Sequence, residues 1–193
     1  MKKETIFWLL FIVLILVFAA NNIRIKMDEN KKIPVQQTVS EAFITVKAPP
    51  LERNTKNEDE AKAALGKNLT DICFFQSSHK GTDYTLIYAK YAKEVNLESG
   101  IKSVINLFKD NNFIYEIKEN EINGNTGAYI EGTFDKDGKT FGIKEQLIKR
   151  GTDFWQILTI FPYNEKTDAL ASEYIQSVNL SDNAVNANAD TQK

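Results

Sequence analysis

Phe154-Trp155-Gln156-Ile157-Leu158-Thr159-Ile160-Phe161-Pro162 decides the fold. Of its first eight residues only Gln156 and Thr159 are polar, and they fall on opposite sides of a two-residue alternation. A strand with one wet face alternates apolar and polar residues, whereas this one is apolar on both faces and has to sit in the middle of a covered sheet. Pro162 has no N–H to continue a ladder and ends it. Upstream, strands at 113–122, 126–134 and 140–149 are separated by Asn123-Gly124 and by Asp135-Lys136-Asp137-Gly138-Lys139, and Gly151-Thr152-Asp153 turns into the central strand. The Asn-Gly pair suits the positive φ of a tight hairpin. Ala128, Ile130 and Phe134 share one face of the second strand, and Phe141, Ile143 and Leu147 one side of the third.

Helices flank this run. In residues 97–111, Leu97, Ile101, Val104, Ile105 and Phe108 form one continuous stripe, with Asn96 as N-cap. After Pro162, Asn164 caps a helix over 165–178 whose inner stripe is Leu170, Ala171, Tyr174, Ile175 and Val178. A peripheral helix over 57–65, capped by Asn57 and ended by Gly66, has Leu65 as its only sizeable apolar residue. Residues 42–47 read as a short strand ended by Pro49-Pro50, and residues 69–76 and 83–92 as a hairpin across Gly81. The order β-β-β-α-β-β-β-β-α predicts an α+β domain: a meandering antiparallel sheet with helices packed on it.

Outside this domain, expected over residues 39–181, the chain changes character. Met1-Lys2-Lys3 precedes an apolar run over residues 6–20 with no polar side chain. Fifteen residues reach about 22 Å as a helix, short of the roughly 30 Å hydrocarbon core. With residues 5–23 engaged, Thr5, Asn21, Asn22 and Ile23 sit at the rims of a slightly thinned bilayer. The reading is a signal anchor over residues 1–20 in preference to a cleaved signal peptide, because the apolar run continues to Ala19 without a helix breaker. Arg24, Lys26, Lys31 and Lys32 outnumber Lys2 and Lys3, which taken alone favours a cytoplasmic domain. The basic tail before an apolar helix is the ordinary export signal, and export is the expectation. Residues 21–38 are polar and read as a linker; residues 182–193 are Asn/Ala/Asp-rich and read as a disordered tail.

Without residues 1–26 the chain carries 20 basic and 25 acidic side chains, a net charge of −5, which argues against a general nucleic-acid binder. Cys73, the only cysteine, excludes an internal disulfide and lies among Ile72, Phe74 and Phe75 as a buried strand residue. His79, the only histidine, sits in a polar stretch from Ser77 to Thr82 and reads as a solvated turn residue. Asp135-Lys136-Asp137-Gly138 starts like a calcium loop but lacks its third acid and distal Glu, so it reads as a turn. Asn68-Leu69-Thr70 and Asn179-Leu180-Ser181 match the glycosylation acceptor pattern. Tyr84, Tyr88, Tyr91, Tyr115 and Tyr129 outline a binding surface or, by default, half-buried packing. Glu145 is in register with Phe141, Ile143 and Leu147, which points it inward, where a carboxyl acquires a raised pKa and could act as acid or base. A twisted strand that leaves it at the rim is the preferred reading, and it makes Glu145→Gln nearly neutral. No catalytic, cofactor-binding or metal residue is assigned.

Phe43-Ile44-Thr45-Val46-Lys47-Ala48-Pro49, the helix over 97–111, Ile122-Asn123-Gly124-Asn125-Thr126-Gly127-Ala128, the central strand and the closing Ile175-Gln176-Ser177-Val178 together resemble the PsbP-like α/β/α sandwich superfamily. That group takes in the extrinsic photosystem II subunit PsbP and bacterial envelope proteins. The resemblance spans residues 43–180. It implies a non-enzymatic accessory or assembly role outside the cytoplasmic leaflet and brings no ligand residues with it, since the matched positions are packing and turn residues. The expectation is thus a membrane-tethered extracytoplasmic domain that binds an envelope protein or small ligand without catalysis and without a cofactor. The alternatives are a secreted or periplasmic protein released by signal cleavage, and a hydrolase or transferase with an acidic site at Glu145.

Overall fold

The computed structural model of the protein describes residues 33–181. The apolar run over residues 6–20, most of the expected linker and the expected tail at 182–193 lie outside the described residues. Among the described residues no helix is long and apolar enough to cross a membrane. The fold is α+β. Strands β1 (Val35–Val39), β2 (Ile44–Ala48), β3 (Glu52–Arg53), β4 (Leu69–His79), β5 (Thr82–Tyr91), β6 (Ile114–Ile122), β7 (Asn125–Lys136), β8 (Lys139–Arg150), β9 (Asp153–Pro162) and β10 (Asn179–Leu180) are joined by helices α1 (Thr55–Leu65), α2 (Leu97–Phe108) and α3 (Glu165–Gln176).

Seven strands form one antiparallel sheet in the order β3-β4-β5-β9-β8-β7-β6, and β1-β2-β10 form a small second sheet. After β5 the chain crosses the large sheet through α2 to its far edge. It then meanders back so that β9 pairs with β5, Asp83 opposite Ile160 through Lys90 opposite Asp153. Three hairpins, at Lys80-Gly81, Asn123-Gly124 and Asp137-Gly138, have two-residue loops with positive φ at both positions, the type I′ geometry whose twist matches the strands. The acidic loop of β7–β8 is therefore a turn, closed by Thr140 Oγ1 donating to Asp135 Oδ1 at 2.9 Å.

The large sheet is covered on both faces. One face holds α1 and α2 over Ile72, Phe74, Ile87, Ile130, Ile143, Leu147, Phe154 and Leu158. The other holds α3 and the small sheet over Phe75, Tyr84, Leu86, Ile148, Trp155 and Ile157. β9 serves both cores, as its sequence requires. Trp155 is fully buried, and its Nε1–H donates to Ala42 O at 2.6 Å, fastening the small sheet to the large one.

Several details differ from the sequence reading. Residues 35–38 fall in the expected linker but belong to β1, because Gln37 ties the strand down: its amide donates to Ala48 O and Pro49 O, and its carbonyl accepts from Leu51 N–H. Helix α1 starts at Thr55 with Asn54 as its cap, one turn before Asn57. It is also less peripheral than its apolar content suggests. Glu58 is buried, pairs with Arg53 through two hydrogen bonds of 2.8 and 3.0 Å, and accepts from Phe74 N–H at 3.0 Å. Burial alone would push this carboxyl up, but Arg53 and the Phe74 N–H outweigh it, and the net shift is downward. In α2 the buried positions are Gly100, Ser103, Val104 and Phe108, so the expected stripe is rotated and Leu97, Ile101 and Ile105 are half-buried.

Removing Glu58 leaves the buried Phe74 N–H without its acceptor, while the exposed Arg53 guanidinium returns to water. Glu58→Ala is expected to lower unfolding free energy by about 1–3 kcal/mol, seen as a lower urea midpoint. Lys102→Ala, which removes only the exposed helical pair with Glu98, should change it by less than about 0.5 kcal/mol.

Candidate functional site

Strand β8 is unbroken from Lys139 to Arg150, with no register shift against β7 or β9. Strict alternation then divides its side chains. Ile143, Glu145 and Leu147 face the α2 side, and Gly142, Lys144, Gln146 and Ile148 face the α3 side. The twist that would bring Glu145 to the rim is absent. Glu145 is 1% exposed, flanked in register by Ile130 and Leu158. Gln156 Nε2 donates to its Oε1 at 2.7 Å, and Gln156 Oε1 is buried with no hydrogen-bond partner. Burial pushes the Glu145 carboxyl up to about 8, only partly eased by Gln156. A neutral Glu145 carries an O–H, and turning the Gln156 amide over would offer its carbonyl to that proton at the same separation.

On the opposite face Lys144 is also buried. Its Nζ lies 3.0 Å from Asp168 Oδ1, 2.6 Å from Ser172 Oγ and 3.9 Å from Glu131 Oε2. Ser172 and Asp168 are one turn apart on α3, and Ser172 Oγ–H donates to Asp168 O at 2.9 Å. A serine beside a lysine amine is the arrangement of a nucleophile and its base. Here the ammonium is ion-paired with carboxylates and the serine proton is committed to a backbone carbonyl, so the contact pins α3 to the sheet. Glu131 continues the array, accepting from Tyr129 O–H at 2.8 Å and from Lys118 at 3.2 Å. Burial pushes Glu131 up, but Tyr129 and Lys118 hold it below the usual range. Beside it Asn120 and Gln146 form a reciprocal amide pair, at 2.8 and 2.9 Å, over Gly127, where a Cβ would meet Asn120 Oδ1 at 2.6 Å. This array escaped the sequence reading. Its only trace there is the Asp168/Ser172 spacing and a lysine on a strand face shared with Gln146.

The other marked residues are packing. Cys73 is buried, and burial pushes its thiol up to about 11. His79 belongs to β4 and is buried, a correction to its solvated-turn reading: the turn is confined to Lys80-Gly81. Tyr84, Tyr88 and Tyr91 are buried, Tyr129 is half-buried and Tyr115 is exposed, so the tyrosines form no common surface. Among the described residues no group of three or more His, Cys, Asp or Glu is placed to hold a metal ion. An open depression between the Lys80 turn and the outer face of α3 is lined by Lys166, Leu170, Glu173 and Gln176.

No protein-family model matches the chain, and no curated protein matches it. Solved structures similar to it include LpqN, involved in cell envelope biogenesis of Mycobacterium tuberculosis, at 12% identity and a TM-score of 0.44 over 56% of this chain and 71% of that one. A Pseudomonas aeruginosa protein of unknown function described as a regulator is similar at 10% identity and a TM-score of 0.38 over 72% and 94%. A Bacteroides thetaiotaomicron structure is similar at 12% and 0.39 over 74% of this chain and 46% of that one.

The burial of Glu145 reverses the expectation for its replacement. The folded chain keeps the Glu145 proton up to about pH 8, while an unfolded chain releases it near the ordinary 4.5. Between those values the native state binds more protons, so its stability falls as pH rises through the window. Glu145→Gln should match the parent at pH 4 and exceed it by about 2–4 kcal/mol at pH 8, measured by urea unfolding across pH.

Proposed function

We propose that the chain is a membrane-tethered, extracytoplasmic accessory domain of the PsbP-like kind, which binds a partner at the cell envelope and performs no chemistry on it. The observation that carries the non-catalytic part is the treatment of Glu145, the carboxyl that burial pushes up to about 8. Glu145 has the proton affinity of a general acid but is 1% exposed, closed in by hydrocarbon and bonded only to Gln156. A general acid has to reach the proton's destination on the substrate. The second polar array, at Lys144, spends its donors on α3. The tether rests on the basic start and the apolar run over residues 6–20. A released, secreted form differs only in cleavage near Ala19.

A reporter pair fused after Lys193 tests the orientation: alkaline phosphatase is expected to be active and a cytoplasm-dependent fluorescent protein dark. The opposite result overturns export. Membrane fractions should retain the full-length chain, and a chain lacking residues 1–20 should be found in the soluble fraction. Defined chemical turnover by the purified protein, lost in Glu145→Gln, would sink the non-catalytic reading.

A further inference from the structure

Strand β6 ends the large sheet, and among the described residues nothing pairs with its outer side. Its hairpin fixes which backbone groups face outward. In a two-residue type I′ loop the closing pair, Ile122 and Asn125, exchanges hydrogen bonds, and such pairs then recur at every second residue. Ile114, Glu116, Lys118, Asn120 and Ile122 therefore direct their N–H and C=O groups at β7. Tyr115, Ile117, Glu119 and Glu121 direct theirs away from the sheet. The strand is nine residues long, without proline, and pairs with β7 without a register shift. A long, straight, proline-free edge can accept another strand, and of the devices that block such pairing β6 carries only charged side chains, which restrict it to a strand of complementary charge. The opposite edge of the sheet, β3, is instead shortened to two residues.

The side chains of β6 specify the occupant. Glu116, Glu119 and Glu121 are exposed, and the only cation, Lys118, is held by Glu116 at 3.1 Å and Glu131 at 3.2 Å. At the other end of the strand Ile114 is 75% exposed, and Tyr115, 43% exposed, stacks on Phe113 with ring centres 4.8 Å apart. An incoming strand thus meets uncompensated carboxylates at one end and apolar surface at the other. A second copy of β6 fits this poorly. Pairing centred on Lys118 or Glu119 puts like charges opposite each other, and pairing centred on Ile117 sets Lys118 opposite Glu116 but leaves Glu119 and Glu121 facing Tyr115 and Phe113 without a cation. Like charges directly opposite are unfavourable, and opposite charges favourable, across strands.

We propose that the outer edge of β6 binds an extended peptide segment bearing alternate lysine or arginine and apolar residues, by strand addition. The backbone groups of Tyr115, Ile117, Glu119 and Glu121 supply the hydrogen bonds, and Glu119 and Glu121 select the cationic side chains. The proposal locates the partner-binding role given above and rests on that reading, whose non-catalytic part falls to chemical turnover and whose export falls to the reporter pair.

The test uses the full-length chain in a neutral detergent and two fluorescent, end-blocked hexapeptides, one alternating valine and lysine and the other valine and glutamate. Fluorescence anisotropy should show saturable binding of the lysine peptide, with the glutamate peptide at least about tenfold weaker. Glu119→Pro removes an outward-facing N–H and leaves the ladder to β7 intact, so it should abolish binding without changing the circular dichroism spectrum. If that variant fails to fold, the pair Glu119→Lys, Glu121→Lys serves instead, with the expected reversal of preference between the two peptides. Equal binding of both peptides, no binding of either, or full binding to the Glu119→Pro variant overturns the proposal. So does self-association of the parent that Glu119→Pro dissolves, since the edge would then take a second copy.

Discussion

A strand that is apolar on both faces cannot be satisfied by a two-layer fold. Phe154 and Leu158 need cover on one side of β9, and Trp155 and Ile157 on the other. Placing β9 between β5 and β8 supplies hydrogen bonds along both of its edges. Helices α1 and α2 then close one face, and α3 with the small sheet closes the other. The small sheet shares that face with α3, and the bond from the Trp155 indole N–H to Ala42 O supplies the partner that a buried indole requires.

The same two-sided burial explains how the polar groups of β8 are disposed. On the α3 side a buried ammonium is held by Asp168, Ser172 and Glu131, so the charge is compensated where it lies. On the α2 side no cation is at hand, and Glu145 is accommodated by holding its proton instead. The two solutions sit on neighbouring residues of one strand. Both consume the chemistry of their side chains in packing.

Much of this was legible in the chain. The turn pairs Asn123-Gly124 and Asp137-Gly138, the caps Asn96 and Asn164 and the apolar run of β9 each express a local rule, and each sits where that rule puts it. What escaped depends on contacts between distant parts. Alternation pointed Glu145 inward but could not show that α2 lies over that face. His79 follows two serines and reads as wet until Tyr84, Thr82 and α3 are seen on the same side of the sheet. Val35-Gln36-Gln37-Thr38-Val39 is too polar to announce a strand, and only the reach of Gln37 to Ala48, Pro49 and Leu51 makes it one. The adjacency of β5 and β9 is a property of topology, which no local pattern encodes.

That adjacency governs how the chain assembles. β6 through β9 join by tight hairpins and need no distant partner, so they zip up as a local unit. β4 and β5 form a second hairpin, and the two units meet only when Asp83 finds Ile160 and Tyr88 finds Trp155. Docking of the halves closes the loop between β5 and β9, and non-local pairing of that kind slows folding. During synthesis β5 leaves the ribosome well before β9, and its unpaired edge is what a chaperone would have to shield in the interval.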